Sequence, residues 1–145
     1  MTSSLQIQNY QQLRWRLVNK SGTKISAALD ADSVARIAAR AADEKQGSNI
    51  VVLNVGDILA ITEMFVIVSA SNSRQLRTIA NEITAKIREE SDRTLLRSEG
   101  MAEQQWVLLD YVDVVVHIFS EEIREFYEIE RLYQDVPVVD WRAIA

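Results

Sequence analysis

The chain has 145 residues, 48% of them hydrophobic and 26% charged, with a formal net charge of −5. That suits one globular domain with a real core. It has no cysteine, which excludes disulfides, thiolate zinc sites and cysteine nucleophiles together.

The charge is unevenly spread. Residues 1–29 hold Arg14, Arg16, Lys20 and Lys24 and no acid, a charge of +4. The remainder holds 12 basic and 21 acidic residues, a charge of −9. An acidic domain is repelled by a phosphate backbone and drawn to a basic protein surface, so direct nucleic-acid binding is not expected of it. No apolar stretch is long enough to cross a membrane, and the start lacks the apolar core of a signal peptide. The acid-free, arginine-containing start has the composition of an organellar transit peptide, but equally that of a solvated tail.

Residues 1–29 show no sustained period and read as a disordered basic arm. Its "LRWRLV" segment, Leu13–Val18, has Trp15 as an anchor should it fold onto a partner. A first helix is expected over Asp32–Gln46, where Val34, Ile37, Ala38 and Ala41 make an i, i+3, i+4, i+7 stripe. Asp32 would be its N-cap and Gly47 its C′ residue. Strands follow at Asn49–Asn54 and Glu63–Ala70, both continuous apolar runs of the kind covered on two faces. The longest helix is expected over Ser73–Ser91, with Asn72 and Gln75 at capping-box spacing and Leu76, Ile79, Ala80, Ile83 and Ile87 buried.

A weak third strand lies in Thr94–Gly100. Then comes "QQWVLLDYVDVVVHIFS", Gln104–Ser120, which reads as buried sheet yet holds two aspartates and the only histidine. A two-residue turn at Tyr111–Val112 would make it a hairpin with Asp110 facing Asp113 and Trp106 facing His117. One face would then be aliphatic: Val107, Leu109, Val114, Val116 and Ile118. The other would carry Trp106, Leu108, Asp110, Asp113, Val115 and His117. Tyr111–Val112 is poor chemistry for a turn that wants φ > 0. A last helix starts after Ser120, with Glu121 and Glu122 at its positive dipole end. Its apolar side is Ile123, Phe126, Ile129 and Leu132, and Pro137 ends it. These elements make an α/β domain, residues 30–145, with a mixed sheet of about five strands and flanking helices.

Each polar residue of the hairpin has two readings. Asp110 and Asp113 suit a solvated turn, or a basic partner lying between them, since opposed like charges repel. His117 suits a hydrogen-bonded strand position. Trp106 suits either core or an interface anchor on a partly open face. Enzymatic readings fit less well. "SASNS" before a helix, with later strand carboxylates, has the outline of a nucleotidyltransferase or nucleotide-binding domain. Such enzymes place Gly-Ser at the helix start and two acids on one strand face. Here Asn72–Ser73 replaces Gly-Ser, and the acids stand at i, i+3. No phosphate-loop, dinucleotide, nucleophile-elbow or zincin motif is present. No catalytic, cofactor-binding or metal-binding residues are expected.

Four blocks occur in order: "FVIVSASNSRQ" (Phe65–Gln75), "LLRSEG" (Leu95–Gly100), "WVLLDYVDVVVHIFS" (Trp106–Ser120) and "REFYEIERLYQDVP" (Arg124–Pro137). With these, Ser33–Trp141 resembles the ribosomal silencing factor, or Iojap-like, family. The resemblance implies a nucleotidyltransferase-like topology without catalysis or cofactor. It implies a cytoplasmic bacterial protein that binds ribosomal protein uL14 on the large ribosomal subunit. Bound there, such a protein blocks joining of the small subunit and represses translation when nutrients are scarce. The implied partner-binding residues are Trp106, Asp110 and Tyr111, with Leu109 and Asp113 beside them. A homodimer through the surface around Trp106 is a further expectation, and only the arm has the charge to touch ribosomal RNA. The chain departs from the family pattern at Val112, where Gly is usual. It departs also at Glu63–Met64–Phe65, usually Asp-Tyr-Phe, and at Asn54, commonly Asp.

Overall fold

The computed structural model describes residues 29–143; residues 1–28 of the expected arm, with Trp15, lie outside the described residues. In chain order the elements are α1 (Ala31–Glu44), β1 (Ser48–Asn54), β2 (Met64–Ala70), α2 (Ser73–Ser91), β3 (Arg97–Glu99), β4 (Trp106–Asp110), β5 (Val114–Ser120), α3 (Glu121–Tyr127), a 3₁₀ turn (Ile129–Tyr133) and β6 (Val138–Val139). The strands form one mixed sheet in the order β3-β4-β5-β2-β1-β6. Only β2 and β5 run parallel; the other pairs are antiparallel. The fold is the expected α/β one, with a sixth strand. Two residues of β6 beside Pro137 are too short to show a period, and Val52 and Leu53 give them their partners.

The sheet is covered on both sides. On one face α1 and α2 pack over Val66, Val68, Val107, Leu109, Val114, Val116 and Ile118. On the other, Phe65, Ile67, Trp106, Leu108, Val115 and Phe119 lie beneath α3 and the 3₁₀ turn. Central β2 is therefore buried along its whole length, whereas β1, next to the sheet edge, is only partly buried.

α1 begins one residue earlier than expected. Its N-cap is Asp30, not Asp32: the Asp30 carboxylate accepts from the Ser33 N–H at 2.9 Å. That bond, with the Ser33 hydroxyl, holds Asp30 below the usual carboxylate range. Asp32 sits in the first turn and accepts from Arg36 Nε at 2.9 Å. At the other end Gln46, at φ 65°, takes the left-handed position expected of Gly47. Gly47 is needed for space: a Cβ there would lie 2.5 Å from Val68 Cγ2 on β2.

α2 starts as its spacing predicts. Asn72 Oδ1 accepts from the Gln75 N–H at 2.7 Å. Gln75 Oε1 accepts from the Ser71 N–H at 2.7 Å, one residue before the usual capping-box partner. The Gln75 amide also donates to the Lys45 and Gln46 carbonyls, so the start of α2 ties down the end of α1.

The last helical segment differs most from expectation. α3 is capped by Ser120 as expected, but it stops at Tyr127, where Glu128 adopts φ 46° and the chain continues as a 3₁₀ turn. The left-handed residue changes the phase of the apolar stripe. Ile129 and Tyr133 turn inward, and Phe126 and Leu132 turn outward, at 70% and 55% exposure.

Gly100 ends β3 at φ 87°, and a Cβ there would lie 2.0 Å from the Trp106 carbonyl oxygen. Gly100→Ala should therefore cost more than about 1 kcal/mol in urea unfolding. Gly56→Ala, whose added methyl would meet nothing nearer than 3.4 Å, should unfold close to the parent. Equal midpoints for the two variants would contradict the packing assigned to Gly100.

Candidate functional site: the β4–β5 turn and the α3 ridge

The hairpin keeps its two predicted faces but not its predicted pairing. Asp110 lies opposite Val115, Leu109 opposite Val116, Leu108 opposite His117 and Trp106 opposite Phe119. The register is displaced by two residues, and an even displacement leaves every side chain on its expected face. The Tyr111 N–H donates to the Val114 carbonyl at 2.9 Å, so the turn is Val112–Asp113 and not Tyr111–Val112. Val112 lies at φ 79°, and the Asp113 N–H donates to the Tyr111 carbonyl at 3.1 Å. A β-branched residue there is strained.

The new register resolves the two aspartates: they no longer face each other. Asp110 is fully buried, and its Oδ1 accepts from the Val112 N–H at 2.8 Å, holding the strained turn. Asp113 faces Arg93, which grips both carboxylate oxygens at 2.5 and 2.9 Å. Arg93 also donates to the Leu29 carbonyl. The Asp113 carbonyl accepts from the N–H groups of Glu63 and Met64 at 2.8 and 3.0 Å.

Of the two readings of Trp106, core and partly open anchor, the structure has the core one: the ring is 7% exposed. It stacks on Phe119 at 4.8 Å between ring centroids and lies 5.4 Å from Tyr127. Its indole N–H donates to His117 Nδ1 at 3.2 Å. An indole only donates, so Nδ1 carries the lone pair and the ring proton sits on Nε2. His117 is itself buried, edge-on to Phe65 at 4.7 Å. Leu109 and Tyr111 are buried in the opposite layer, under α1 and α2. Burial pushes the Tyr111 hydroxyl up to about 12, with the Thr84 hydroxyl partly opposing.

Of the five candidate contact residues, then, only Asp113 offers part of its side chain to solvent. Sequence reasoning missed the surface above them. Half-buried Tyr127 covers Trp106, and Phe126 packs edge-on to Tyr127 at 4.9 Å while itself exposed. Around Phe126 and Leu132, residues 121–135 carry six acids and two arginines, a local charge of −4. Arg124 is turned inward to Glu130, the Asn49 carbonyl and Ser69 Oγ. The tyrosines at 127 and 133 were the available signal, since an aromatic pair with that spacing competes with Phe126 and Leu132 for the core.

Asp110 and Asp113 point to different partners, so they do not share a metal position. Among the described residues no three His, Cys, Asp or Glu side chains are grouped to hold a metal ion. At the start of α2, where a nucleotidyltransferase would hold phosphate, Asn72 and Ser71 are engaged with Gln75.

Trp106→Ala should destabilise the domain by about 3–5 kcal/mol, as truncation of a buried aromatic ring does. A variant with the parent's urea midpoint would contradict its place in the core. A second outcome concerns alkali. The folded state holds the Tyr111 proton more tightly than the unfolded chain does, where the ordinary value is 10.0. The stability from this group is complete below about pH 10 and lost as pH rises towards 12. Tyr111→Phe should remove that share of the alkaline loss. An unchanged stability profile between pH 9 and about 12 in Tyr111→Phe would show that Tyr111 is not its source.

Residues 28–145 match the family described as "Ribosomal silencing factor during starvation". The ribosomal silencing factor of Bacillus subtilis is 35% identical over 108 residues, covering 74% of this chain and 91% of that one. The corresponding Halalkalibacterium halodurans protein is 34% identical over 109 residues, covering 75% and 92%. A crystal structure of a Chromobacterium violaceum protein superposes with a TM-score of 0.70 at 26% identity, covering 73% of this chain and 88% of that one. The match over residues 28–145 and the two relatives above 30% identity show that this chain belongs to the ribosomal silencing factor family.

Proposed function

We propose that this protein binds the large ribosomal subunit through ribosomal protein uL14 and blocks association with the small subunit by occupying space. Translation is thereby held down under nutrient limitation. The observation that carries this reading is the α3 ridge, an exposed apolar pair, Phe126 and Leu132, within a strongly acidic segment. Such a ridge suits a basic protein surface: the apolar side chains supply buried area, and the carboxylates orient the approach.

The contact residues divide into two roles. Asp113, Val112 and the ridge would meet the partner. Trp106, Leu109, Asp110 and Tyr111 would act from beneath, by fixing the turn and the position of Tyr127. We take residues 30–145 as one docking domain, with the basic arm before it and the cytoplasm as its setting. No helix among the described residues is long and apolar enough to cross a membrane. A second copy of the chain could cover the same ridge as a homodimer, in competition with the ribosome.

Phe126→Asp with Leu132→Asp should leave the unfolding midpoint near the parent's and abolish co-sedimentation with purified large subunits. Added parent protein should reduce joined ribosomes on a sucrose gradient in proportion to large subunits bound, with no nucleotide present. The effect should weaken with salt, since attraction between exposed charges is screened beyond about 10 Å at 0.1 M. A double variant that binds like the parent would move the site off the ridge. Splitting of joined ribosomes by far less than one copy each would replace steric occupancy with an energy-coupled mechanism.

A further inference from the structure

On the helical side of the sheet, away from the α3 ridge, a cavity of about 430 Å³ opens between α2 and the β3 edge. That volume is in the range of small-molecule sites. Its apolar lining comes from Ala80, Leu95, Met101 and Leu109. Its polar lining comes from Thr84, Arg88, Arg93, Thr94 and Ser98, with the Asn81 amide beside them. These groups are two guanidiniums, three hydroxyls and an amide, with no carboxylate among them. In a chain of net charge −5 that is a local reversal of sign.

The two arginines are not equivalent. Arg93 is spent on Asp113 and the Leu29 carbonyl. Arg88, in the last turn of α2, is exposed and in no ion pair among the described residues. Its guanidinium is thus the cation a bound anion would meet, as a planar fork that matches carboxylate or phosphate oxygens. The hydroxyls of Thr94 and Ser98 can each donate as well, whereas Thr84 already donates to the Ala80 carbonyl at 2.8 Å and offers only its lone pairs. A ligand fitting this lining has an acceptor-rich anionic head and a flat or branched apolar body.

We infer that this cavity is a binding site for a small organic anion, a carboxylate or phosphate monoester on an apolar body, with Arg88 meeting its charged head. The apolar lining would take the body, and the hydroxyls would orient the head. None of the ridge residues lines the cavity; it shares with the docking turn only Leu109 and the Arg93 that holds Asp113, and Arg88, on which the test turns, belongs to neither ridge nor turn.

The test uses 2-naphthoate, 2-naphthyl phosphate and the uncharged 2-naphthalenemethanol, titrated into the ¹⁵N-labelled full chain. Saturable amide shifts should centre on Thr84, Arg88, Leu95 and Met101, with a Kd of about 1 mM or tighter for at least one anion. The relative affinities of the two anions would identify the head group. The alcohol should bind at least about 10-fold more weakly, and Arg88→Gln should weaken the preferred anion by a similar factor. Arg88 is exposed, so this variant should fold. Three results would overturn the inference: no saturable shift with either anion, shifts scattered over the surface, or affinity unchanged in Arg88→Gln.

Discussion

Asp113 is held from three directions, and the placement of the rest of the hairpin depends on that. Its carboxylate is gripped by Arg93, which also holds the Leu29 carbonyl just before α1. Its carbonyl accepts two N–H groups from the start of β2. One residue thus joins the β4–β5 turn, the parallel strand β2, the segment after α2 and the entry to α1. The arginine side chain is 9% exposed and the aspartate 25%. Removing either partner of a buried pair costs about 3–5 kcal/mol, and this pair, with one face open, belongs towards the lower end. That is comparable with the strain of order 1–3 kcal/mol for a non-glycine residue in an unfavourable backbone region. Val112 can hold φ 79° because the bonds on either side of it, from Asp110 and to Asp113, over-determine the turn.

From the turn, order passes to the ridge through packed rings. Trp106 bridges the two antiparallel strands by stacking on Phe119, and Tyr127 rests against it from above. Arg124 adds a second tie, reaching from α3 to the Asn49 carbonyl and Ser69 Oγ. A helix of seven residues has little stability of its own. Here its inner side is fixed by aromatic packing and by a largely desolvated guanidinium. The chain is then free to change phase at Glu128 and to leave Phe126 and Leu132 outside.

Most of the architecture was legible because it rests on patterns of long range. The stripe of α2 repeats from Leu76 to Ile87, and its Asn72 cap accepts from Gln75 as their spacing predicts. The faces of β4 and β5 follow from alternation alone, and so survived a wrong turn. The turn itself was not legible. Tyr111–Val112 and Val112–Asp113 both place a valine in a turn that wants Gly or Asn, and tertiary bonds to Glu63, Met64 and Arg93 hold the turn at Val112–Asp113. The N-cap of α1 was misplaced because Asp30 and Asp32 have equal intrinsic merit, and the one three residues before a suitably placed N–H prevails. The α3 ridge was hidden because a single left-handed glutamate reverses which apolar residues are core. No periodicity within "EFYEIERLY" announces that reversal. Trp106 read as core or as an anchor on an open face, and the Tyr127 ring above it makes it core.

The magnitudes bear on how such a ridge would work. Burying one large apolar side chain contributes about 1.5–3 kcal/mol. Phe126 and Leu132 are already partly covered, so the pair supplies at most about 6 kcal/mol on docking. Association costs an estimated 4–15 kcal/mol in lost translational and rotational freedom. The two apolar groups alone therefore do little more than cancel the lower end of that cost. Net affinity must come from the surrounding carboxylates and from the turn, whose shape is set in advance by Arg93, Asp110 and Trp106. Pre-organisation matters here because every side chain already immobilised before binding subtracts about 0.5–1.5 kcal/mol from the ordering cost. On the proposed reading, the docking surface would rest on a buried tryptophan and a buried aspartate beneath the contact. Loosening them would leave the outward residues in place chemically and would still raise the free energy of the bound state.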